Sequence, residues 1–305
     1  MGVNMTSKIS LSLLASYLIA NCLLSTPIEA QTPTQIKLPT WYTAHKKNIE
    51  STWDNTRSSK KANASLREIE FVFGNGVWQA GRRYSDGNDW LGLTCVANEC
   101  NLLPASLKVQ KKSWQGHYDE VATAGQVLNF RLSQATKAEV IAWFKRTPKS
   151  PDWLKEGSVT SFFSMYHRSI DSKRELSVET VVALPDGNSV RFVPLLDKKD
   201  GFSKAETSQA FLQLRSANKR QLLLGTLGNC TGSEALTAGG NYLLWAGDLD
   251  RDGKPDYLVS FIDADGPVHL YLSSRAKAND LVGLAGIYDS SPYGGECDGG
   301  GWDAY

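Results

Sequence analysis

From Ile69 onward, apolar and polar positions alternate with the two-residue period of β-strands, and turn-forming pairs interrupt the alternation. Ile69-Glu70-Phe71-Val72-Phe73 is the first such run. Asn75-Gly76 follows it and predicts a hairpin, with residues 77–84 as the returning strand. Asp86-Gly87-Asn88 predicts the next turn, and strands are expected over 90–95, 101–109 and 126–132. One segment departs from the period. Thr136 and Glu139 have capping-box spacing, Val140, Ile141, Trp143 and Phe144 make an apolar stripe, and Pro148 closes it, so a helix is predicted there. Strands resume at 159–166. Residues 176–184 and 190–196 flank the turn Pro185-Asp186-Gly187-Asn188 as a second hairpin. The last third adds runs at 210–214, 221–226, 242–246, 257–262 and 268–272. Residues 40–49 are expected to form a short helix, and the glycine-rich tail 294–305 a loop.

The fold class this predicts is mainly β with one clear helix (α+β), built from antiparallel sheets in two packed β-rich domains. The expected boundaries are a leader at 1–30, a flexible lead-in at 31–40, an N-terminal β-rich domain with the helix at 41–200, and a C-terminal β domain at 201–305. The polar stretch 198–203 separates the two domains. No fixed-period repeat is present, which argues against a multi-bladed propeller.

Composition narrows the function classes. The chain has 305 residues, 41% of them apolar, and a formal net charge of +1, so it lacks the basic excess expected of a nucleic-acid binder. Nine tryptophans and eleven tyrosines suit β-rich exported proteins and carbohydrate binders. Lys8, the apolar run 9–24, the break at Pro27 and the small residue Ala30 have the layout of a secretory signal peptide cleaved near Ala30. The apolar run is about 16 residues, short of the roughly 20 that span a bilayer. Periplasmic or extracellular localisation is therefore expected, with no transmembrane helix in the mature chain. A competing reading takes Leu18-Ile19-Ala20-Asn21-Cys22 as a lipoprotein box, with Cys22 as a lipid anchor and Asn21 in place of the usual small residue.

Cleavage near Ala30 leaves four of the five cysteines: Cys95, Cys100, Cys230 and Cys297. In an exported chain an even number reads as disulfides. Cys95 and Cys100 bracket a short turn whose flanking strands lie within bridging distance, which pairs Cys230 with Cys297 by elimination. CxxC pairs, the usual source of a zinc site, are absent.

The chemistry-bearing segment is Asp248-Leu249-Asp250-Arg251-Asp252-Gly253-Lys254-Pro255-Asp256, of the form DxDxDGxxD. Ca²⁺ takes six to eight hard oxygen ligands. In a tight curl, Asp248, Asp250 and Asp252 converge on one point, Gly253 permits positive φ, the Lys254 carbonyl adds an oxygen, and Asp256 completes the shell. Four carboxylates within nine residues repel one another unless a cation sits among them. Val259 stands where an EF-hand has its bidentate glutamate, and the flanks read as strands, which excludes the EF-hand.

A calcium loop between two strands resembles the FG-GAP/VCBS-like (integrin-type) repeats, whose loop reads GDLDGDGxxDL. Here Gly247 to Tyr257 follows that pattern with Arg251 in place of the second glycine. The resemblance covers roughly 20 residues and implies calcium binding. A single copy does not imply the propeller. The wider stretch 245–286 is similar to a group of exported bacterial proteins, which implies export and the loop but no activity.

The favoured expectation is a non-enzymatic exported protein in which Ca²⁺ stabilises a β domain that binds a protein or glycan partner in the envelope. The alternative is a calcium-dependent hydrolase of glycan or peptidoglycan using carboxylates among Asp119, Glu120, Glu139 and Glu179. His45, His117, His167 and His269 are scattered without metal-ligand spacing, and no GxSxG, Walker or dinucleotide motif is present. Asp263-Ala264-Asp265-Gly266 reads as a hairpin turn, and Cys230 within Gly228–Gly232 as a disulfide partner rather than a nucleophile.

Overall fold

A computed structural model describes residues 68–80, 84–96, 99–115, 123–165, 179–196, 210–223, 242–260 and 268–288. The leader, the lead-in, the helix expected at 40–49, the stretch 198–203, the turn at 263–266, the tail at 294–305, and Cys22, Cys230 and Cys297 lie outside the described residues.

Fifteen strands are described: β1 Phe71–Phe73, β2 Val77–Ala80, β3 Gly87–Val96, β4 Glu99–Trp114, β5 Thr123–Leu132, β6 Glu139–Lys145, β7 Gly157–Ser164, β8 Thr180–Ala183, β9 Ser189–Leu196, β10 Ala210–Arg215, β11 Arg220–Leu222, β12 Leu243–Asp248, β13 Asp256–Ser260, β14 Val268–Leu272 and β15 Gly283–Tyr288. One sheet runs β1-β6-β3-β4-β7-β12-β13-β14-β15, with β5 branching from β4 and carrying β2. Its two ends meet. The Ile69 N–H donates to the Ala285 carbonyl at 3.1 Å, Phe71 packs against Tyr288, and Gln79 donates to the Tyr288 hydroxyl. The second sheet, β11-β10-β9-β8, is also antiparallel. Each sheet takes strands from both sides of residue 200.

The helix expected near 136–147 is not formed. Residues Glu139–Lys145 are strand β6, paired on one side with β1 and on the other with β3. Ile141, Ala142, Trp143 and Phe144 are buried in succession, as a central strand covered on both faces requires. The Thr136 hydroxyl accepts the N–H of Ala138, so it closes a local turn rather than capping a helix. Trp143 stacks on Phe130 at 4.8 Å, and β-branched and aromatic side chains fit that pleated surface.

Asn75-Gly76 also departs from expectation. Gly74 and Gly76 have φ of 85° and 70°, and the chain bends there, but the expected hairpin is not formed: β1 pairs with β6 while β2 pairs with β5. The Asn75 amide explains the split. Its carbonyl oxygen accepts the Phe130 N–H and its NH₂ donates to the Phe130 carbonyl, docking the turn on β5. The hairpins β3–β4 and β8–β9 form as the sequence predicts, and Cys95 faces Cys100 in register and is bonded to it. Strand β15 is not anticipated by the hydrophobic pattern.

Two apolar cores result. One lines the inner face of the long sheet with Trp90, Leu91, Leu93, Phe144, Trp245, Leu258 and Leu270. The other lies between its outer face and the second sheet, where Phe192 meets Tyr257 edge-on at 5.0 Å. Strands β13 and β14 are buried at every position because they are shared by both. Within β12, next to the loop that opens at Asp248, stands Gly247, where a Cβ would collide with the Trp245 ring and the Thr160 carbonyl. Gly247→Ala is expected to destabilise the protein by about 1–3 kcal/mol through overpacking against backbone. Urea unfolding against the parent chain checks it.

Candidate metal centre

The loop between β12 and β13 is built around one buried carboxylate. Asp256 opens β13 and is fully buried. Its Oδ2 accepts the N–H groups of Leu249 (2.7 Å) and Asp250 (3.1 Å), and its Oδ1 accepts that of Ser273 (2.7 Å). The loop start is thus tied to the 3-10 turn Ser273–Arg275 that follows β14. Leu249, fully buried, pins the loop into the inner core.

Around this anchor the motif curls as its spacing requires. Gly253 has φ of 83°, and its N–H donates to Asp248 Oδ2 at 3.0 Å. One carboxylate oxygen from each of Asp248, Asp250 and Asp256 lies within 4.8 Å of the other two. Asp250 is 7% exposed, and its Oδ2, like Oδ1 of Asp248, is buried without a hydrogen-bond donor. A buried anionic oxygen with no donor is costly unless a cation meets it. The donor set is all oxygen, which suits a hard divalent ion and disfavours zinc or copper.

The other two expected ligands are Asp252 and the Lys254 carbonyl. Asp252 is exposed; its Oδ1 accepts the Lys254 N–H and its Oδ2 the Ser273 hydroxyl, at 2.9 and 2.8 Å. It stands outside the three-carboxylate group. Lys254 is exposed at the loop's outer turn. Of the carboxylates considered for hydrolysis, Glu139 is exposed at a strand start and Glu179 pairs with Arg191; Asp119 and Glu120 lie outside the described residues. Of the histidines, only His269 is described; it is fully buried, with Nδ1 3.3 Å from the Tyr271 hydroxyl.

Sequence reasoning missed Arg251 and Ser273. Arg251 has φ of 61°, the left-handed region a glycine would favour. Its guanidinium donates to the carbonyls of Ser158, Trp153, Lys155 and Glu156, latching the loop to the start of β7 and the segment before it. The departure from glycine at this position was the available signal. Ser273 is distant in sequence and carried none.

The electrostatics follow from burial. Desolvation, opposed by the Ser273, Asp250 and Leu249 N–H groups and reinforced by the Asp250 charge, pushes Asp256 up to about 8. Desolvation also raises Asp248, with the Asp252 and Asp250 charges adding to it. In chelator-treated protein the native state therefore holds protons that the unfolded chain releases above its ordinary carboxylate range. The contribution of Asp256 to stability is expected to be complete below its unfolded value of 3.8 and to be lost as pH rises from there towards 8, so melting temperatures should fall from pH 5 to pH 8. A stability that instead rises over the same interval would place the ionised form in the metal-free fold. Replacing the Arg251 fork, Arg251→Lys, is expected to cost about 1–2 kcal/mol and to speed tryptic cleavage at Lys155. Comparison with protein-family models, curated proteins and solved structures finds no match to this chain.

Proposed function

We propose that this chain is an exported, non-enzymatic protein in which the loop from Asp248 to Asp256 binds one Ca²⁺ that stabilises the β fold. The observation that carries the reading is the pair of buried, donor-less oxygens on Asp248 and Asp250 beside Asp256. A divalent cation there would neutralise the three carboxylates and join β12, β13 and the turn after β14. Asp248 and Asp250 would contribute those oxygens directly. Asp256 would act as anchor and nearby charge, since its oxygens already accept three N–H groups. The resemblance of the loop to FG-GAP-type repeats favours calcium among the hard ions.

Export rests on the signal-peptide layout of residues 1–30, and a partner-binding role in the envelope rests on the lack of a convergent catalytic set among the described residues. No helix among them is long and apolar enough to cross a membrane.

Calorimetric titration of Ca²⁺ into chelator-treated protein is expected to saturate near one equivalent. At a hundredfold excess over the dissociation constant it should stabilise the fold by about 2.7 kcal/mol. Asp250→Asn should abolish both effects while leaving the far-ultraviolet circular dichroism of the β fold in place. Absence of heat and of any melting shift with Ca²⁺, Mg²⁺ or Mn²⁺ would reject the reading.

A further inference from the structure

The second sheet carries an unusual row of charge. Arg191 of β9 faces Arg215 of β10, and Arg215 faces Arg220 of β11, residue against residue. Val182, Val190, Phe192, Leu212 and Leu214 point into the core beneath, so alternation places the three arginines together on the opposite face. Val181 of β8, 51% exposed, completes the row beside Arg191. Directly opposed residues have Cβ atoms about 4.5–5.5 Å apart, and like charges in that relation destabilise a sheet. The repulsion is felt here: desolvation and then the charges of Arg220 and Arg191 pull the Arg215 guanidinium below its ordinary value, against a single opposing influence from Glu179. Glu179 reaches Arg191 at 3.5 Å, and Arg215 donates through Nε to Gln213. Among the described residues, one carboxylate and one amide against three guanidinia leave a net cationic strip with unused donors.

We propose that this row is a binding site for phosphate groups. Guanidinium forks match tetrahedral oxyanions in two-point hydrogen bonds, and three in line on a rigid sheet present several such forks without reorganisation. The exposed Val181 adds an apolar margin at one end. The phosphate can be a free anion or the headgroup of an acidic phospholipid. The site lies on a different sheet from the metal loop and does not depend on it.

The test uses the full mature chain with no free calcium added, so that calcium phosphate cannot form. Inorganic phosphate, compared with chloride at equal ionic strength, is expected to raise the melting temperature by about 2–4 °C if the free anion is the ligand. Sedimentation with phosphatidylglycerol vesicles, against phosphatidylcholine vesicles, reads the headgroup; there each arginine removed should weaken binding about fivefold. Arg215→Gln and Arg220→Gln should melt no lower than the parent in chloride, because repulsion is relieved, and should lose the response to whichever probe the parent binds. A response in either arm that both variants lose supports the site and names the source. No response in either arm overturns it, as does a full response retained by both variants.

Discussion

A single carboxylate, that of Asp256, ties the loop after β12 to the turn after β14. It is fully buried at the start of a strand, yet both its oxygens accept backbone N–H groups, two from the loop before it and one from the turn 17 residues after it. Those N–H groups would otherwise be orphaned at the end of β12 and at the start of the 3-10 turn. Burying a charge to satisfy them raises the affinity of the carboxylate for a proton, and equally its affinity for a cation. The same desolvation makes the site costly when empty of positive charge, which is the ground for proposing a cation there.

The anchor works because the strands around it cannot move. β12, β13 and β14 sit between two apolar cores, one inside the long sheet and one under the second sheet. Close-packed interiors tolerate little displacement, so the three carboxylates are brought near one another by the sheet and not by their own attraction, which is repulsive. Gly247 lets β12 pass close to β7, and Arg251 fastens the loop's far side to the segment that precedes β7. Loop geometry is therefore imposed from three directions.

Charge is distributed in the fold by contrasting rules. Negative charge is gathered in a desolvated loop with oxygens left without donors, whereas positive charge is spread in register along an exposed sheet face. Each arrangement sets like charges near one another, and each would be relieved by a counter-charge of a different kind. Both are cases in which local repulsion marks a surface that the fold alone does not explain.

How much of this the sequence determined follows from which interactions are local. Strand periodicity, the turn at 185–188, the facing pair Cys95–Cys100 and the positive φ of Gly253 were legible because each depends on residues a few positions apart, whereas Gly87 and Asn88, expected in a turn, belong to strand β3. The acidic spacing pointed to the right loop, but it placed Asp252 at the point of convergence, where the fold brings Asp248, Asp250 and Asp256 together. The segment 139–145 was not legible, since an apolar run buried on both faces has the same composition in a strand as in a helix, and only pairing with β1 and β3 decides between them. Tertiary structure also decided that Asn75 docks on β5, that Asp252 turns to Ser273, that Asp256 serves as anchor, and that three arginines from separate strands fall into one row. These depend on register between segments distant in sequence, and register is set by packing across the whole sheet, which no local pattern encodes.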